Sequence, residues 1–166
     1  MASQELSAKS PKTEVYVGIA DLKVGRAPLI LITLGLGSCV GVTLYDPVKK
    51  IGGLLHVMLP RSSEFSRNSH PAKFADTGVP LLLAEVLKLG ADKRVLEAKI
   101  AGGAQMFEGM VNIGERNVEA VKEALAALGI RLVAEDVGGS RGRTMILDTS
   151  TGKVIIKTLG SSPKEL

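Results

Sequence analysis

The apolar residues of this chain come in short runs, and run length limits the fold more than any other feature of the sequence. The longest run, Pro28 to Leu34, is strand-sized and stops at Gly35, far below the roughly 20 apolar residues needed to cross a bilayer. Segments 15–20, 29–34, 39–45, 51–58, 98–102, 132–136, 144–147 and 154–158 read as strands, apolar or alternating and bounded by turn residues. Two stretches have helical spacing instead. Leu81, Leu82, Glu85, Val86 and Leu89 form one stripe, and Gly90 closes it. Pro80 fits the first turn of that helix and Thr77 its N-cap, whereas a start near Ala72 would demand a kink at Pro80. Val118, Val121, Leu125 and Leu128 form the other stripe, capped by Asn117 or an earlier residue and closed by Gly129. Many strands and two helices outside strict β-α-β alternation predict an α/β fold layered on a mixed β-sheet.

Composition narrows the partners. The 166 residues suit one domain, expected over 14–159, with a disordered tail over 1–13 and a flexible end over 160–166. Apolar residues make up 45% and charged residues 23%, which excludes intrinsic disorder. Aromatic residues are only 3%, so the core is aliphatic and base-stacking platforms are scarce. The net charge of +4 is spread along the chain rather than clustered, which argues further against nucleic acid. The single cysteine, Cys39, excludes an intramolecular disulfide and a multi-thiolate metal site. No apolar secretory segment opens the chain, so a cytoplasmic protein without membrane insertion is expected.

The chemistry gathers around Gly35-Leu36-Gly37-Ser38-Cys39-Val40-Gly41 and the hairpin after it. Asp46-Pro47-Val48-Lys49 is a type I turn sequence joining the strand from Cys39 to the strand that ends near His56. With Asp46 facing Lys49, Cys39 lies opposite His56; with Asp46 facing Ile51, the partner of His56 is Gly41, and Cys39 becomes its diagonal neighbour. Both registers put Val42 and Leu44 on one face and Cys39 and His56 on the other. Directly opposed Cβ atoms lie about 5 Å apart and diagonal ones about 7 Å, so either register permits contact.

A histidine beside a cysteine takes the thiol proton or stabilises the thiolate, and the thiolate is the nucleophile. A thiol pKa lowered by His56 is therefore expected. The backbone at Gly37 and Ser38 is open enough for amide groups to face an oxyanion. The Thr33 hydroxyl, at the end of the preceding strand, is placed to hold the imidazole. Plainer readings compete: Cys39 as a small buried apolar residue and His56 as a structural one. Gly35-Leu36-Gly37 fails as a dinucleotide fingerprint because Val40 and a hairpin follow. His70, before Pro71 in a polar loop, reads as surface. Gly102-Gly103 and Gly138-Gly139 read as turns or phosphate cradles, and turns are favoured because neither pair precedes Lys-Ser/Thr. Met106 and Phe107 form an apolar tip in a Gly-rich loop, either core filler or partner contact.

Taken together, several segments resemble the chemoreceptor glutamine deamidase family, CheD. They are Thr33 to Val40, His56-Val57-Met58-Leu59-Pro60, Phe74-Ala75-Asp76-Thr77, Lys99 to Ala104 with Met106-Phe107, Asn112 to Asn117, and Gly138-Gly139 with Arg141 and Arg143. The resemblance runs from about Val15 to Lys157 in order and spacing. It implies a three-layer α/β sandwich and a cysteine hydrolase that converts glutamine side chains of methyl-accepting chemotaxis receptors to glutamate. It implies catalytic roles for Cys39, His56 and Thr33, with no metal or organic cofactor. It also implies, as an alternative, a binding module that regulates a CheC-type chemotaxis phosphatase.

Overall fold

The computed structural model describes residues 12–64, 70–109 and 111–166. The strands are β1 (Thr13–Tyr16), β2 (Leu22–Arg26), β3 (Leu29–Leu36), β4 (Val40–Asp46), β5 (Ile51–Val57), β6 (Glu97–Gly102), β7 (Arg131–Val137), β8 (Arg143–Asp148), β9 (Val154–Thr158) and β10 (Lys164–Glu165). The main helices are α1 (Ala75–Lys88) and α2 (Ile113–Ala127). The expected mixed sheet is in fact two five-stranded sheets, ordered β1-β3-β8-β9-β10 and β2-β5-β4-β6-β7. Each has one parallel pair, β1 with β3 and β6 with β7.

Alternation along the central strands explains the layering. Val40, Val42, Leu44, Leu55 and Val57 pack with Val79, Leu82, Val121 and Leu125 of the helices. Tyr45 and Leu54, pointing the other way, pack with Leu31, Met145, Leu147 and Ile156 of the first sheet. The second sheet is thus the middle of three layers, and β4 and β5 are buried along their whole length. Burial on both faces allows a polar residue such as His56 to be enclosed between sheets.

The hairpin takes the register in which Asp46 faces Ile51 and Gly41 faces His56. Asp46 decides it. Its Oδ1 accepts from the amides of Val48 and Lys49, each at 2.9 Å, and its Oδ2 from the amide of Asp92 at 2.8 Å. Lys50 closes the loop at φ 54° and donates its amide to the Asp46 carbonyl at 2.8 Å.

Several expectations need correction. α1 begins at Ala75, so Pro80 lies inside the helix and Thr77 does not cap it. The caps come from the chain leaving β5: the amide of Ala75 donates to Leu59 O at 2.9 Å, and Asp76 accepts from Ser62. The Thr77 hydroxyl donates to Pro71 O at 2.6 Å. For α2 the earlier of the two expected caps holds: Asn112 caps it, its side chain accepting from the Glu115 amide, and Asn117 lies within the helix. Segment 17–20 is not strand but crosses from one sheet to the other. β2, unread in the sequence, is an edge strand whose inward residues Leu22 and Val24 alternate with polar ones. The end expected to be flexible returns along β9, where Lys164 and Glu165 pair with Ile156 and Ile155. Of the expected N-terminal tail, 1–11 lie outside the described residues, and Thr13 already pairs with Leu29.

Candidate active site

Three chain segments converge where the two sheets approach. β3 carries Thr33 and then loses register against β8 between Thr33 and Leu36, at Gly35 with φ 69°. That irregularity releases the chain into the 37–39 loop, which delivers half-buried Cys39 to the start of β4. With Gly41 opposite His56, Cys39 is the diagonal neighbour of the imidazole on the face toward the first sheet. Thr33 comes to the same place from the first sheet. Thr33 and His56 are fully buried.

Their hydrogen bonds fix the state of the ring. Thr33 Oγ1 donates to Val17 O at 2.7 Å and lies 2.7 Å from His56 Nδ1. A hydroxyl has one proton, and a carbonyl only accepts. With that proton directed to Val17, Thr33 accepts from Nδ1–H, and Nε2 carries the free lone pair. Nε2 has no hydrogen-bond partner among the described residues. The strand that holds the ring is fixed by the 17–21 crossing, through Ala20 N to His56 O and His56 N to Asp21 O, both 3.0 Å.

Burial sets the protonation of both groups. It lowers His56 from its ordinary 6.5 to about 4, so the imidazole is neutral at pH 7. It pushes the Cys39 thiol up, a rise that the Cys39 amide partly opposes. The expected lowering of the thiol by His56 is therefore not what the site does: a neutral ring supplies no positive charge to hold a thiolate. The resting pair is thiol and imidazole, an arrangement suited to general-base removal of the proton during attack.

The surrounding glycine pairs are turns that brace the Cys39 loop. Gly103 N donates to Cys39 O and Ala104 N to Gly37 O, both at 2.8 Å, and Gly138 N donates to Gly102 O at 2.9 Å. Gly102 sits at φ 108°, where a Cβ would collide with the Cys39 carbonyl oxygen. Arg143, 8% exposed, donates to the carbonyls of Gly102, Asp136 and Gly138. Its role in the frame was not legible from the sequence. Gly37 does not offer its amide to an oxyanion, because that N–H donates to Gly35 O at 3.0 Å. The amides of Ser38 and Cys39 donate to no other residue among those described.

The Met106-Phe107 tip is not core filler. Phe107 is 71% exposed. It helps line a hollow of about 170 Å³ with Ser38, Ala104, Val111 and Ile113, directly beside the Cys39 loop. His70 is exposed, as expected.

Layers and site define an α/β protein with a buried His-Thr pair beside its only cysteine. The fold has a solved counterpart in a Neisseria meningitidis protein of the DUF152 family, with TM-score 0.54 and 9% identity over 82% of this chain and 68% of that one. Residues 58–158 match the family described as CheD chemotactic sensory transduction. A Desulforamulus reducens protein named "Probable chemoreceptor glutamine deamidase CheD" is 59% identical over 91% of this chain and 94% of its own length. One of the same name from Clostridium botulinum is 58% identical over 92% of this chain and 98% of its own. This chain belongs to the CheD family.

Proposed function

We propose that this protein deamidates glutamine side chains of methyl-accepting chemotaxis receptors in the cytoplasm, with Cys39 as nucleophile, His56 as base and acid, and Thr33 as its holder. The observation that carries the chemistry is the Val17 carbonyl–Thr33–His56 chain, which leaves Nε2 unprotonated and without a partner among the described residues, on the strand face shared with Cys39. The receptor substrate comes from the names of the relatives.

Nε2 takes the thiol proton as Sγ bonds to the carboxamide carbon, and the carbonyl electron pair moves onto oxygen. The amides of Ser38 and Cys39, which donate to no other residue among those described, are the donors available to that charge. The C–N bond breaks, Nε2 returns the proton to the nitrogen, and ammonia leaves a thioester. Water then attacks the thioester carbon and gives a proton to Nε2. The C–S bond breaks, and the proton returns to Sγ with release of glutamate. The chain's own groups carry each proton, so the residues need no cofactor for this sequence.

Exposed Phe107 is assigned to partner contact, serving the receptor or a CheC-type phosphatase; an apolar aromatic at a loop tip is a common interface anchor. The reading is tested by incubating a receptor cytoplasmic fragment with the protein and with Cys39→Ala and Cys39→Ser. Ammonia release and amide-to-acid mass gain at mapped glutamines are expected for the wild type and nearly absent from both folded variants. An alanine variant that keeps most of the rate removes Cys39 from the mechanism.

A further inference from the structure

Asn117 is a polar residue in the first turns of α2, where the Val121–Leu125 stripe would place an apolar one, and it is fully buried. Both of its amide hydrogens are used. Nδ2 donates to Ser38 O at 2.9 Å and to Met58 O at 3.0 Å, while Oδ1 has no partner among the described residues. One side chain therefore joins the loop that carries Cys39 to the chain just beyond His56. A buried amide with an unsatisfied oxygen costs stability, a cost set against the two hydrogen bonds that its nitrogen makes.

The Ser38 carbonyl and the Cys39 N–H belong to one peptide unit, and in a trans peptide they point in opposite directions; the only cis bond among the described residues is Ala27–Pro28. Drawing Ser38 O toward α2 therefore turns the Cys39 N–H away from α2. Two observations place that N–H on the reacting side. It donates to no other residue among those described, and Cys39 packs against the first sheet, on the opposite side of the middle layer from α2.

We propose that Asn117 is a positioning residue that builds the oxyanion site, by holding the Ser38 carbonyl so that the Cys39 amide points at the oxygen of the attacked group. This rests on the deamidase reading above and adds the residue that orients the donor. Asn117 touches no substrate; it acts through the peptide plane. The Gly103-to-Cys39 and Ala104-to-Gly37 hydrogen bonds hold the loop's position, so removing Asn117 frees the plane to rotate without releasing the thiol.

The test compares wild type with Asn117→Ala, and with Asn117→Ser, which keeps one donor, in case the alanine variant does not fold. Three quantities are measured: kcat and KM for ammonia release from a receptor fragment, the iodoacetamide rate at Cys39, and the Kd of a peptide carrying an aldehyde in place of the target carboxamide. The aldehyde adds the thiol across its C=O and places an oxygen at the oxyanion position. The expected result is kcat lowered about 10²-fold, as for loss of one oxyanion donor, with a smaller loss for serine. Aldehyde binding should weaken by about tenfold or more, while KM and alkylation stay within about threefold. Unchanged kcat and aldehyde binding in a folded variant would overturn the proposal. So would kcat, alkylation and melting temperature falling together, the mark of a purely structural residue. Absence of ammonia release by the wild type would defeat the deamidase reading instead, and aldehyde binding would still decide the role of Asn117.

Discussion

Thr33 Oγ1 and His56 Nδ1 meet at 2.7 Å although their strands belong to different sheets. The contact is the only side-chain hydrogen bond of the ring among the described residues, so the packing of the two sheets and the orientation of the base are one structural fact. Thr33→Val keeps the shape and removes the acceptor. It leaves Nδ1–H buried without a partner, at a cost of about 1–3 kcal/mol, and permits the tautomer with the proton on Nε2. Denaturant unfolding should show that loss, and kcat should fall while KM changes little. Thr33→Ser should recover most of both.

The reactivity of Cys39 toward iodoacetamide should be low near pH 7 and rise only in the alkaline range, because burial raises the thiol and His56 is neutral there. Alkylation of the folded protein followed across pH by mass spectrometry checks this. An inflection below pH 7 would mean a preformed thiolate, which the neutral imidazole does not provide.

His56 also links stability to pH. Its pKa falls from 6.5 to about 4 on folding, so in this range the unfolded chain binds more protons than the folded one. Its contribution is complete above about pH 6.5 and is lost as pH falls toward 4, by up to roughly 3 kcal/mol from this group. Unfolding curves at neutral pH and near pH 4.5 should lie further apart for wild type than for a folded His56→Gln variant, which has nothing to titrate at that position.

Phe107→Ala should leave the melting temperature and Cys39 alkylation nearly unchanged, since the ring is 71% exposed. A buried phenylalanine would instead cost about 3–5 kcal/mol. Binding to a receptor fragment, measured by pull-down or titration, should weaken. Unaltered binding to both the receptor and a CheC-type protein would remove Phe107 from the interface.

The sequence by itself determined what local rules govern. Asp46-Pro47 made the hairpin, Gly90 and Gly129 ended the helices at φ 107° and 72°, and period-two alternation put Cys39 and His56 on one face whichever register held. These depend on residues a few positions apart, where backbone sterics and side-chain direction are decisive. The CheD motifs, read together, pointed to the family and to Thr33. Tertiary structure decided the rest. The choice between registers needed Asp46, which binds the amide of Asp92 as well as its own loop. The start of α1 needed the carbonyl of Leu59 in place of a side-chain cap. The Val17 carbonyl that sets the His56 tautomer, and Asn117 across from Ser38, are contacts between segments remote in the chain. Such contacts follow from how layers stack and which buried polar groups must find partners, and that accounting closes only once the whole chain is folded.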